Sequence, residues 1–85
     1  MRKRTKIEIM ADILSLCRQP QNKTRLLYEA NLSWSMLNRY LDQMRSLRLL
    51  EIHRSPIRYQ ATPKGGKFVE IWEEIGKILT FSRSS

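Results

Sequence analysis

Residues 31–48 read NLSWSMLNRYLDQMRSLR, and the rest of the chain is understood from this stretch. Its apolar residues are Leu32, Leu37, Tyr40, Leu41, Met44 and Leu47, with Met36 at the margin. The steps of three, one and three from Leu37 to Met44 draw one stripe along a helix, the side that meets a core. The opposite face carries Trp34, Ser35, Asn38, Arg39, Asp42, Gln43 and Arg45. Ser33 stands at the N-cap position, where its hydroxyl can accept from a backbone N–H of the first turn. The spacing predicts a helix over 34–47. Its front end offers side chains able to touch phosphates and base edges, as a recognition helix does in a helix-turn-helix.

The flanking segments supply the other parts. Toward the N-terminus, NKTRLLYEA (22–30) reads as a short helix that starts at Asn22 or at the Lys23–Thr24 pair, Asn22 being the better cap by side-chain chemistry. Leu26, Leu27 and Ala30 are expected to face inward. Asn31 suits the turn because Asn tolerates a left-handed backbone. Before it, a helix is expected from Thr5 to about Arg18, with Thr5 and Glu8 at capping-box spacing and Ile7, Met10, Ala11, Ile13, Leu14 and Cys17 buried. After Arg48 the period changes to two. Leu50 and Ile52 alternate with Glu51 and His53, Ser55-Pro56 marks a turn, and Ile57, Tyr59 and Ala61 share a side, which predicts a hairpin over about 49–61. Thr62 and Pro63 then suit the N-cap and first position of a last helix, expected over about 63–80. Its apolar residues Phe68, Ile71, Trp72, Ile75, Ile78 and Leu79 make a face wide enough to pack on the domain and to meet a second chain. Gly76 within it either weakens the helix or lets a partner approach closely. Residues 82–85 read as a tail.

The 85 residues suffice for one small domain and no second core. Lys and Arg number 16 against 8 Asp and Glu, a net charge of +8, which points to a polyanionic partner. Residues 23–58 carry seven Lys/Arg against three Asp/Glu, net +4, and Arg2, Lys3, Arg4 and Lys6 add another +4 as a candidate basic arm over 1–6. One Cys and one His exclude zinc sets built only from those two residues. No H-E-x-x-H, G-x-S-x-G or phosphate-binding loop occurs, so no enzyme, metal or cofactor is expected. The single Cys17 precludes an internal disulfide and fits a cytoplasmic protein. The segment after MRKRTK is broken by Glu8 and Asp12 and reads as an amphipathic helix, not a targeting sequence. No apolar run approaches the roughly 18 residues of a membrane span.

The expected fold is mostly α with a small β-hairpin, in the order α-α-α-β-β-α of a winged helix-turn-helix, as one domain over 1–81. Three stretches carry a more particular likeness: RTKIEIMADIL (4–14), KTRLLYEANLSWSMLNRYLDQM (23–44) and YQATPKGGKFVE (59–70). Together they resemble small archaeal winged-helix DNA-binding proteins, predicted transcriptional regulators related to the ten-kilodalton dimeric chromatin proteins of thermoacidophilic archaea. The family's T-R-I-x-Y-x-A-N-L-S-Y motif reads here Thr24, Arg25, Leu26, Tyr28, Ala30, Asn31, Leu32, Ser33 and Trp34, and its closing T-x-K-G reads Thr62, Lys64 and Gly65. Trp34 stands where the family often has Tyr, and the C-terminal helix is short beside the extended dimer rod of some relatives. The resemblance implies binding of double-stranded DNA as a homodimer joined through the C-terminal helix, which would make Phe68, Ile71, Trp72, Ile75, Ile78 and Leu79 interface residues.

The residues themselves name the expected contacts. Ser35, Asn38 and Arg39 point to bases, Arg39 pairing with guanine and Asn38 with adenine. Ser33 lies at the helix entry, and Arg45 and Arg48, farther along, suit the backbone. Arg54 and Arg58 flank the wing tip and are placed for phosphates. Trp34 has two readings, a ring closing the core edge or a ring stacked on sugar or a thymine methyl. Asp42 would repel phosphate unless it orients Arg39 or Arg45. The expected role is transcriptional regulation in the nucleoid, with no membrane and no small-molecule substrate. Two other readings stay open: an adaptor that uses the same fold to bind protein, and a chromatin-type coat indifferent to sequence.

Overall fold

Left-handed residues end two of the helices and so set the angles of the fold. The computed structural model describes residues 4–84; Arg2 and Lys3 of the expected arm, and Ser85, lie outside them. The order is α1 (Lys6–Leu16), α2 (Lys23–Glu29), α3 (Trp34–Ser46), β1 (Leu50–His53), β2 (Arg58–Ala61) and α4 (Pro63–Ser84), the winged-helix order. At the end of α2, Asn31 has φ of 55°; its N–H donates to the Tyr28 carbonyl at 3.3 Å and that of Leu32 to Leu27 at 3.1 Å. At the end of α3, Arg48 has φ of 62°; its N–H donates to Arg45 at 3.0 Å and that of Leu49 to Met44 at 2.8 Å. Both are Schellman closures, which satisfy helix-end carbonyls and turn the chain sharply.

The starts of the helices are satisfied as the sequence predicts. The Thr5 hydroxyl accepts from the Glu8 N–H at 3.1 Å while the Glu8 carboxylate accepts from the Thr5 N–H at 3.1 Å. Asn22, the better of the two candidate caps, accepts from Arg25 N–H at 2.8 Å, and Ser33 accepts from Met36 N–H at 3.2 Å. Leu37, Tyr40, Leu41 and Met44 of α3 form its buried face, against Ile13, Leu14, Leu26, Leu49, Leu50, Tyr59 and Val69 of the same cluster. Cys17 is fully buried there, and burial pushes its thiol up to about 12, which leaves it protonated and unreactive at neutral pH.

β1 and β2 pair antiparallel with Leu50 opposite Ala61 and Ile52 opposite Tyr59. The ribbon is held on its other side too. Gln21 and Tyr59 exchange backbone bonds of 2.9 and 2.7 Å, and Ala61 N–H donates to the Cys17 carbonyl at 2.8 Å. The loop between α1 and α2 therefore acts as a third, one-residue strand, which no sequence alternation announces.

Several expectations are corrected. Ile7, assigned to the core, is 51% exposed, and Ile9 is buried instead. The surfaces of α2, α4 and β2 that cover α1 take in Ile9, and Ile7, in the first turn, lies beyond them. Leu47 is the C-cap of α3 and half-exposed, not part of the stripe. Ile57 falls in the turn before β2 and is also half-exposed, so it does not share the buried side of Tyr59. In α4 the residue that enters the core is Val69, absent from the expected face; Phe68 packs partly against the core and Trp72 is half-buried. Ile71, Ile75, Ile78 and Leu79 remain exposed. The helix also continues to Ser84, through residues that read as a tail.

α4 is locked to the end of α3 by the 62–65 segment. The Thr62 hydroxyl donates to the Arg48 carbonyl at 2.6 Å and accepts from Gly65 N–H at 3.1 Å. Thr62 N–H donates to the Leu49 carbonyl at 3.0 Å, and Lys64 Nζ to the Leu47 carbonyl at 2.9 Å. Gly65 lies so close that a Cβ there would collide with the Leu49 carbonyl oxygen and press on Leu14, whereas one on Gly66 would meet open space. Gly65→Ala should therefore destabilise by about 1–3 kcal/mol as an overpacking change, lowering the melting temperature by at least about 4 °C. Gly66→Ala should be neutral or raise stability by up to ~1 kcal/mol through helix propensity. Thermal unfolding followed by circular dichroism checks both signs; equal effects would break the account of the junction.

Candidate nucleic-acid interface

The front of α3 is presented as its sequence requires. With Leu37 and Tyr40 turned inward, Ser35, Asn38 and Arg39 are exposed on the opposite side. The Ser33 oxygen is occupied by its cap bond, so its free capacity is the hydroxyl proton, which can still donate to an anion. Trp34 opens the helix with 49% of its surface exposed and is not in the core cluster. Half of the ring is thus available for contact.

Farther along, α3 and the wing face each other across an open groove of about 680 Å³. Asp42, Arg45 and Ser46 line it from the helix, Leu50, Glu51 and Ile52 from β1, and Arg48 and Thr62 from the junction. Arg45 and Arg48 are brought together there by different means. Arg45 lies in the last turn of α3, where a cation also suits the helix dipole. Arg48 holds a left-handed backbone that costs a non-glycine residue on the order of 1 kcal/mol. Asp42 makes no ion pair with Arg39 or Arg45 among the described residues; it and Glu51 weaken the positive field of the groove. Glu51 instead faces His53, with Oε1 to Nε2 at 3.5 Å.

At the wing, Arg54 is exposed and the Arg58 Nη1 donates to the Ile57 carbonyl at 2.8 Å, which holds the guanidinium against the turn. Among the described residues no carboxylate pairs with Arg39, Arg45, Arg48, Arg54 or Arg58; the ion pairs involve Arg4, Arg18, His53 and Lys77. These five cations are held by no competing charge, which is what recognition of an anionic chain requires.

Arg4, expected in the basic arm, is placed otherwise. Its guanidinium lies 3.3 Å from the Asp12 carboxylate and donates to the Asn31 carbonyl at 2.9 Å, bracing the turn of the helix-turn-helix. Lys6 belongs to α1. Two residues of the sequence motif that were not among the expected contacts are exposed on α2: Arg25 and Tyr28, the latter at 75%. The inward spacing of Leu26 and Ala30 was the signal that could have found them. No group of three or more His, Cys, Asp and Glu among the described residues could hold a metal, and no helix among them is long and apolar enough to cross a membrane.

Comparison with known proteins agrees with this architecture. The crystal structure of Sso10a-2, a DNA-binding protein from Sulfolobus solfataricus, superposes with a TM-score of 0.82 and 32% sequence identity, over 95% of this chain and 87% of that one. An uncharacterized protein of Methanocaldococcus jannaschii is 28% identical over 78 residues, which span 91% of this chain and 78% of the relative. Both relatives are archaeal, as the motifs at 4–14, 23–44 and 59–70 imply. A family model described as winged helix-turn-helix matches residues 3–80, and the chain belongs to that family.

Proposed function

We propose that this chain binds double-stranded DNA and regulates transcription in the nucleoid, with α3 in the major groove and the wing on the backbone. The observation that carries the reading is the set of unpaired arginines shared between α3, the α3–wing groove and the wing tip. In this arrangement Ser35, Asn38 and Arg39 face base edges. Ser33 and Trp34 meet the backbone at the helix entry, and Arg45, Arg48, Arg54 and Arg58 neutralise phosphates on either side of the groove. Sso10a-2, described as DNA-binding, has the same fold over nearly the whole chain, which supports the assignment.

The protein acts as a homodimer in this reading. Ile71, Ile75, Ile78 and Leu79 recur at steps of four, three and one and stay between 43 and 65% exposed. The Arg18–Glu73 ion pair, at 3.1 Å, is the last bond from α4 to the body among the described residues, and Ile75, Ile78 and Leu79 beyond it are left uncovered. A second copy of the same helix supplies a matching apolar face by two-fold symmetry.

Selection of bound duplexes from a random library at two salt concentrations tests the function. A regulator enriches a palindrome with half-sites about one helical turn apart. Binding that collapses with salt and enriches nothing indicates a chromatin-type coat, and no binding at low salt removes the DNA reading. Arg39→Ala should cost about 1–3 kcal/mol and relax preference at one base pair; a uniform loss over all sequences would deny it a base-reading role. Arg48→Gly should separate stability from binding. It relieves the left-handed strain, raising stability by up to about 1 kcal/mol, while weakening every duplex alike and lowering the salt slope by about 0.9. An unchanged slope would take Arg48 off the phosphates. Ile75→Asp should convert the dimer to a monomer in light scattering without loss of helicity; a monomeric wild type would refute the dimer.

A further inference from the structure

The wing ends in a feature that neither the core nor the phosphate contacts use. Residues 54–57 read Arg-Ser-Pro-Ile and form the turn between β1 and β2, with Pro56 and Ile57 both exposed. Ile57 leaves 50% of its surface in solvent although it lies one residue before β2, whose Tyr59 is buried. The side chain therefore contributes nothing to the cluster that holds the domain together. Single exposed apolar residues are common on protein surfaces, but this one stands beside exposed Pro56 in the turn that closes the ribbon. Arg54 and Arg58 flank it, and the Arg58 guanidinium is bonded to its carbonyl oxygen.

We propose that Pro56 and Ile57 are an apolar wedge that enters the minor groove beside α3 and partly unstacks a base step, bending the duplex. The inference rests on the DNA-binding reading and adds a deformation to it. A cation-flanked tip is drawn to the negative minor groove, and Ile and Pro are among the side chains that act as wedges between base steps. The dimensions agree. Strands of four residues carry the turn about 13 Å along the ribbon. Four residues of turn with one branched side chain suit a groove about 6 Å wide, which would exclude a helix. The wedge reads deformability, so it favours pyrimidine–purine steps without hydrogen bonding to any base.

The experiment uses the full chain and end-labelled duplexes of roughly 30 base pairs with 2-aminopurine beside a central TA step. Anisotropy, end-to-end energy transfer and 2-aminopurine fluorescence are read in one titration. The wild type should bind, shorten the end-to-end distance and raise the fluorescence. Ile57→Ser should bind about tenfold more weakly, with an unchanged salt slope, and leave the duplex straight and stacked. Ile57→Leu should restore the bend, and both variants should melt like the wild type because residue 57 is outside the core. Wild-type binding with a straight, stacked duplex, or bending by Ile57→Ser equal to the wild type, overturns the wedge and leaves the DNA-binding reading intact. Absence of any binding by the wild type overturns the DNA-binding reading itself, and the anisotropy channel identifies that case.

Discussion

The close approach of Gly65 to the Leu49 carbonyl, which leaves no room for a Cβ, joins the end of α3 to the start of the long C-terminal helix. Everything around it follows from that proximity. The Arg48 carbonyl has to be satisfied where a helix end meets a helix start, and the Thr62 hydroxyl does this while also capping α4. Lys64 reaches back to the Leu47 carbonyl, so a cation closes the negative end of α3. A buried helix end without such partners would leave backbone carbonyls unpaired, at a cost of about 1–3 kcal/mol each. The T-P-K-G run is thus a joint, in which Thr, Lys and Gly each have a separate physical duty.

The joint works because the chain before it has already turned. Asn31 and Arg48 occupy equivalent places at the ends of α2 and α3, both left-handed. At the first, Asn is a residue type that accepts this backbone readily. At the second, Arg accepts it less readily, and glycine would be the usual choice. Arg48 also lines the groove between α3 and the wing, so the position combines a structural turn with a cation that glycine could not provide.

Much of this was legible beforehand. The α3 stripe, the Ser33 and Thr5 caps, Asn22 over its alternative and the Asn31 turn all depend on neighbours within four residues, and local chemistry determines them. What could not be read depends on contacts made across the fold. Val69 was missed because α4 is apolar on more than one side, and only the position of α1 selects which side is buried. Periodicity places Ile7 and Ile57 inside, but it runs on past the point where tertiary cover ends. Nothing near Arg4 in sequence marks it as paired, because its partners, Asp12 and the Asn31 carbonyl, are 8 and 27 residues away. The exposure of Arg39, Arg45 and Arg54 was foreseeable; the placing of Glu51 across the groove from Arg45 and Arg48 was not, because it requires the hairpin to fold back along α3.

The bond pair between Gln21 and Tyr59 has a thermodynamic consequence. A two-stranded ribbon alone is marginally stable in water, and one that ordered only on meeting a ligand would lose about 1–2 kcal/mol of affinity for each backbone residue fixed. Here the inner strand is stitched on its far side to the loop that follows α1, with Ala61 bonded to Cys17 as well. Ribbon and α3 therefore share one scaffold before any encounter, and their mutual spacing is a property of the free protein. A ligand surface is met by a pre-set gauge, tolerant of what it can match and unforgiving of what it cannot.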